Sequence, residues 1–189
     1  MDSINSYIEK NLSEKRIVHT YAVRDLAVDL AKHYGEDVKK AEIAALFHDM
    51  FKNIGNNAAN MYVRELSLDK KYIDNINLAH SKLAAIIMKR DYNITDEDII
   101  NAVSYHTTGR AEMSLLEKII YIADAAEPNR KYNGAQELRK LAFENLDKAC
   151  LLSLLHTRDY VLNQGEYLDE DTLAAIDWFE TKYNFGGNI

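Results

Sequence analysis

Apolar residues recur every three or four positions through most of the chain, the spacing that lines up side chains along one side of an α-helix. After Ser13, a suitable N-cap, the positions Val18, Val23, Leu26, Ala27 and Leu30 keep this rhythm up to a stop at Tyr34-Gly35. A shorter helix over residues 3–11 precedes it. A third, over 37–49, carries Ala41, Ala44 and Ala45, small side chains that let neighbours approach. The segment Asn53-Ile54-Gly55-Asn56-Asn57 reads as a loop, and helices are predicted over 58–66, 70–77 and 78–90. Thr95 and Asp98 resemble a capping box for a helix running to about His106, which Thr107-Thr108-Gly109-Arg110 breaks. Ser114 and Glu117 form a second box, opening a helix that holds Ile119, Ile120, Ile122 and Asp124 and that Pro128 stops. Helices over 145–163 and 169–183 follow, separated by Asn163-Gln164-Gly165-Glu166, with Asp169 as a cap. The pattern contains no strong strand and predicts an all-α fold.

Composition agrees with that reading. Seven glycines and one proline among 189 residues fall below the ordinary shares of about 7% and 5%. Tight-turned sheets need those residues, and helices exclude them. No repeat or linker divides the chain, so one domain is expected over 1–189, with its core at about 16–130 and C-terminal helices at about 134–185. The single cysteine, Cys150, lies in an apolar run and reads as core. The first residues carry Asp2 and Glu9 in place of a secretory leader, and no apolar run approaches the ~18 residues of a membrane span. A cytoplasmic protein with no membrane partner is expected. The net charge of −7 repels a phosphate backbone, so nucleic acid is not an expected partner. A small anionic substrate would need a local positive site.

Candidate chemistry lies where ionisable groups interrupt apolar helices. His48-Asp49 ends Ala44-Ala45-Leu46-Phe47, and Asp124 follows Ile119-Ile120-Tyr121-Ile122-Ala123. Burying such carboxylates is costly without a counter-charge. His19 shares a side with Val23, Leu26 and Leu30, and His80 and His106 stand near helix ends. A metal ion would compensate the carboxylates and use the imidazoles. Neighbours on a helix differ by about 100° in direction, so His48 and Asp49 reach one ion only at the end of their helix, flanked by two others. Singly, each residue has a plain structural reading: His19 as a hydrogen-bonded core imidazole, Asp124 as a carboxylate paired with an arginine. His156 and His33 read as structural.

The order His, His-Asp, His, His, Asp over 19–124 resembles the HD-domain phosphohydrolase superfamily. Ala44-Ala45-Leu46-Phe47-His48-Asp49-Met50-Phe51-Lys52 is similar to its core motif. His106-Thr107-Thr108-Gly109 and Tyr121-Ile122-Ala123-Asp124-Ala125-Ala126-Glu127-Pro128-Asn129-Arg130 resemble the YqeK family within it, over about residues 6–180. Ala125-Ala126 stands where that family often has a bulkier residue, which bears on pocket shape. The resemblance implies a compact HD-domain helical bundle with a metal site between helices. It implies symmetrical hydrolysis of diadenosine tetraphosphate to two ADP by attack of metal-bound hydroxide on phosphorus. One iron would be held by His19, His48, Asp49 and Asp124, and a second by His80 and His106; manganese or cobalt would accept similar ligands. Asp49 would also orient the water, and with a single metal His80 or His106 would act as general acid. Arg16, Lys52, Thr107 and Arg130 match residues near the phosphates, Lys52 among the catalytic groups, and Tyr167 to Thr172 match a segment closing over the nucleoside.

Two rival readings keep the same ligands. One is another HD-type phosphohydrolase, a nucleoside monophosphatase or a cyclic-nucleotide phosphodiesterase. The other is a non-catalytic nucleotide-sensing module. No glycine-rich phosphate loop is present, which disfavours a kinase or P-loop ATPase. Apolar positions on the first helix could pair two subunits in a homodimer or pack on the core.

Overall fold

The computed structural model describes residues 2–183, and the regular structure among them is helical. In chain order the helices are α1 (Asp2–Asn11), α2 (Glu14–Tyr34), α3 (Val38–Phe47), α4 (Gly55–Glu65), α5 (Ile76–Tyr92), α6 (Glu97–Tyr105), α7 (Leu115–Ala126), α8 (Ala135–Glu144), α9 (Leu146–Asn163) and α10 (Glu170–Tyr183). No helix among the described residues is long and apolar enough to cross a membrane.

The bundle is organised around α7. Leu116, Ile119, Ile120, Ile122 and Ala123 leave it apolar on nearly every side, and all five are buried. Such a helix belongs in an interior, and α7 touches α2, α3, α6, α8 and α9. The Ser114–Glu117 capping box is present and starts it, and the Ser114 hydroxyl also donates to Asp98 at 2.6 Å, tying the starts of α6 and α7 together. On α2 and α3 the fully buried Ala27, Ala31, Ala41, Ala44 and Ala45 allow close packing of the two helices. Gly35 closes α2 in the left-handed region at φ 75°.

Several local expectations need correction. Val18 is 52% exposed, because the buried side of α2 runs through His19, Val23, Leu26 and Leu30 instead. Ser13 occupies the N-cap position without a side-chain bond, and Asp96, not Thr95, caps α6 by accepting from the Asp98 and Ile99 amides. The predicted helix over 70–77 is only a 3₁₀ turn at Lys70–Tyr72, and α4 begins at Gly55, inside the predicted loop. α8 is an addition to the predicted set. On α1, Ile4 and Ile8 are buried and the helix packs on α3, so these apolar positions face its own core.

Gly109 follows α6 at φ 64°, where a Cβ would meet Leu154 Cδ2 at 3.1 Å. Left-handed strain and this overlap together predict that Gly109→Ala destabilises the fold by about 2 kcal/mol, read as a lower urea midpoint with an unchanged slope.

Candidate metal centre

The centre is assembled from five segments. α2 supplies His19 and α5 supplies His80. His106 stands at the C-terminal end of α6, and Asp124 lies in the last turn of α7. His48 and Asp49 lie where α3 ends. His48 is the C-cap, its N–H bonded to Ala44 O, and the chain then coils through three-residue turns, Met50 N to Phe47 O and Lys52 N to Asp49 O. That coiling lets two adjacent side chains, which a straight helix would separate by ~100°, face one space.

Each imidazole is oriented through Nδ1. His48 donates to Ala45 O at 2.6 Å, His80 to Ile76 O at 3.0 Å and His106 to Val103 O at 2.8 Å. A carbonyl only accepts, so these Nδ1 atoms carry the proton and leave Nε2 with a lone pair. His19 Nδ1 meets Glu127 Oε1 at 3.1 Å in the same manner. Four Nε2 atoms therefore point inward.

Asp49 stands between them. Its Oδ2 is 3.5 Å from both His19 Nε2 and His48 Nε2, and its Oδ1 is 3.2 Å from His80 Nε2 and 3.8 Å from His106 Nε2. Asp124 Oδ1 is 3.1 Å from His19 Nε2. The ligand atoms of His19, His48 and Asp124 lie within 4.8 Å of one another, as do those of His48, Asp49 and His106. Nevertheless, His19 Nε2 and His48 Nε2 are buried without an aligned hydrogen-bond partner. Buried nitrogens without partners are expensive, and lone pairs 3.0 Å apart on His80 and His106 repel. A cation among these nitrogens and carboxylate oxygens removes both penalties, and nitrogen–oxygen donor sets suit iron, manganese, cobalt or zinc.

The electrostatics carry the same demand. Burial would raise the Asp49 carboxyl, but the His48 and His80 imidazoles beside it hold it well below the usual carboxylate range. Burial would likewise raise Asp124, and His19 and Arg130 hold it well below. Burial pushes the His48 imidazole down, yet Asp49 and Asp124 raise it above its ordinary value, so the carboxylates favour positive charge at this place. His80 is lowered by burial and by Lys52, and His106 is pushed down to about 3 by burial and by its two imidazole neighbours.

Three cations ring the carboxylates. Arg16 pairs with Asp49, and Arg130 donates to Asp124 Oδ1 at 2.6 Å and to the Asp124 carbonyl at 2.8 Å. Lys52 donates to Asn77 Oδ1 at 3.2 Å; burial lowers its ammonium, and the fields of both carboxylates reach it. The Thr107 hydroxyl lies 3.4 Å from His80 Nε2 and 3.3 Å from His106 Nε2. Thus Arg16, Lys52, Thr107 and Arg130 stand with the six candidate ligands. The segment 167–172 does not. Thr172 is buried and donates to Thr108 O at 3.0 Å, Asp169 is buried and paired with Lys71 at 2.9 Å, and Tyr167 is exposed. These contacts anchor the start of α10, and neither Tyr167 nor Thr172 lines the cavity of about 640 Å³ beside the centre.

Two residues gain roles that the pattern reading does not assign. Glu127, buried just before Pro128, fixes the His19 ring and accepts the Asn129 amide. Its place between Asp124 and the sole proline is the signal that could have marked it. His156, read as structural, is exposed and lines the cavity with Ala125 and Tyr160. Because the partner of a ligating imidazole sets its orientation and basicity, Glu127→Gln is expected to weaken metal retention about tenfold, measured by titration against a competing chelator.

The HD domain family matches residues 16–129. The chain is 40% identical over 171 residues to the symmetrical bis(5'-nucleosyl)-tetraphosphatase of Halalkalibacterium halodurans, covering 90% of this chain and 91% of that one. It is 37% identical over 172 residues to the Bacillus subtilis protein of the same name, covering 90% and 92%. The crystal structure of a predicted HD superfamily hydrolase involved in NAD metabolism from Clostridium acetobutylicum superposes with a TM-score of 0.91 at 42% identity, covering 96% of this chain and 97% of that chain.

Proposed function

The chain belongs to the HD domain family, and from that premise we propose that it is a metal-dependent hydrolase splitting diadenosine tetraphosphate symmetrically into two ADP. The single observation that carries the metal requirement is the pair of buried nitrogens without an aligned hydrogen bond, His19 Nε2 and His48 Nε2, facing two carboxylates held well below the usual carboxylate range. The named activity of relatives matching nine-tenths of the chain supports the substrate. His19, His48, Asp49 and Asp124 would hold one ion, and His80 and His106, with Asp49 between the two sets, a second. Iron is the expected metal, with manganese and cobalt able to use the same donors. Bound there, the metal supplies Lewis acidity and a water acidic enough to ionise near neutral pH.

The chain's own groups do the rest. Arg16, Lys52 and Arg130 offset charge on the phosphates and gather it as the transition state develops. Thr107 offers a hydroxyl to a nonbridging oxygen. Asp49, oriented by Arg16, positions the water in line with the bridging bond. The water oxygen bonds to one central phosphorus and the P–O bond to the bridging oxygen breaks. Its electron pair leaves with the departing ADP, and the proton of the water passes to solvent. His80 and His106 are both pushed toward the neutral form, so they suit metal ligation better than the general-acid role.

The test is to incubate metal-loaded protein with diadenosine tetraphosphate, identify the products and measure metal on the same sample. Two equivalents of ADP are expected. AMP with ATP would overturn the symmetrical reading, release of phosphate from a mononucleotide would favour another HD-type phosphohydrolase, and no turnover would favour a nucleotide sensor.

A further inference from the structure

The metal centre opens on two sides, and the two openings differ in chemistry. One cavity, of about 640 Å³, is walled by Thr107, Asp124, Arg130, Tyr132, His156 and Tyr160. The other, of about 840 Å³, is walled by Lys15, Arg16, His19, Arg130, Lys131 and Tyr132. Arg130 and Tyr132 belong to both. Asp124 borders the first and His19 the second, and these two candidate ligands are 3.1 Å apart. The centre therefore sits between the cavities.

The dividing wall is fixed in place. The Tyr132 hydroxyl donates to Ala125 O at 2.8 Å, and Arg130 is held on Asp124 by two bonds. On one side of the wall the surfaces are aromatic. Tyr160 is 64% exposed and Tyr132 44% exposed, ring faces of a kind that mark a binding surface when they gather in a cleft. On the other side Lys15, Arg16 and Lys131 join Arg130, a cationic run on a chain of net charge −7. Of the two acidic groups there, Glu14 is exposed and Glu127 is already occupied by His19 and the Asn129 amide, so the four cations outnumber the open carboxylates.

Resting on the diadenosine tetraphosphate reading, we propose that the two halves of the substrate are bound unequally. A purine stacks in the aromatic cavity on Tyr132, His156 and Tyr160, and the other half is held through its phosphates by Lys15, Arg16 and Lys131. Base selection then resides at one end of the dinucleotide. Aromatic stacking grips a purine more than a pyrimidine because the larger ring covers more of the face, whereas a cationic surface reads phosphate and ignores the base.

Three substrates test this: diadenosine, adenosine–uridine and diuridine tetraphosphate. With the metal-loaded protein, kcat/KM for the mixed substrate is expected within about threefold of the diadenosine value, and the diuridine value about tenfold lower. Tyr160→Ala should raise KM for the diadenosine substrate about tenfold and bring the three values together, while Lys15→Ala with Lys131→Ala should weaken all three alike. Calorimetry supplies a readout without turnover: ADP should bind about tenfold tighter than UDP to the unaltered protein, and equally to Tyr160→Ala. A mixed substrate as poor as the diuridine one, equal rates for all three in the unaltered protein, or selectivity that survives Tyr160→Ala would each overturn unequal binding while leaving the hydrolase reading intact. Failure of the unaltered, metal-loaded protein to cleave diadenosine tetraphosphate would overturn both.

Discussion

Asp49→Asn is expected to lower turnover of diadenosine tetraphosphate by about a thousandfold or more and to leave the bound metal substoichiometric. Asp49 is the one side chain whose two oxygens face four imidazoles, Oδ2 toward His19 and His48 and Oδ1 toward His80 and His106. An amide keeps one acceptor and places an N–H₂ donor where an anion stands. It also leaves Arg16 without its carboxylate partner. The side chain keeps its shape, so the far-ultraviolet dichroism should be unchanged and the loss should be chemical. Steady-state kinetics and metal analysis on one preparation check both halves, and unchanged turnover would exclude the centre.

Removing the metal should produce the second large effect, a fall in melting temperature of roughly 10 °C, reversed when the ion is restored. The candidate ligands come from α2, the turn after α3, α5, the end of α6, and α7, so only the folded chain presents them together. An ion at a thousand times its dissociation constant then stabilises the fold by about 4 kcal/mol. For a chain of this size each kcal/mol moves the midpoint by about 2–4 °C. Without the ion, the Asp49 and Asp124 carboxylates lose that counter-charge and raise the His48 imidazole above its ordinary value. Scanning calorimetry before and after chelation reads the shift. A melting temperature indifferent to chelation would mean that no ion bridges these helices.

The elements that could be read from sequence are those whose ends carry side-chain signals. α7 has a capping box, an isoleucine-rich run and a proline stop, and it lies where that pattern puts it. α8 has none of these. Its N-cap is Gly134 at φ 94°, with no side-chain bond, and at its other end Asn145 both closes α8 and caps α9. Two helices that share one boundary residue leave no loop to read. The same contrast holds at the centre. His19, His48, Asp49, His80, His106 and Asp124 stand out because polar groups interrupt apolar runs. Glu127 acts through the second nitrogen of a histidine 108 positions away, a relation that exists only once α2 and α7 have docked. His156 looks like a core residue because leucines precede it, but it is exposed on the cavity wall.

The way the centre is put together has a consequence for the life of the polypeptide. Because α7 delivers Asp124 only when it is seated among its five neighbours, a nascent or damaged chain with that helix detached holds scattered imidazoles and no competent scissors. The complete ligand set is thus a property of the docked bundle, and a species with α7 detached is expected to bind no metal at this centre.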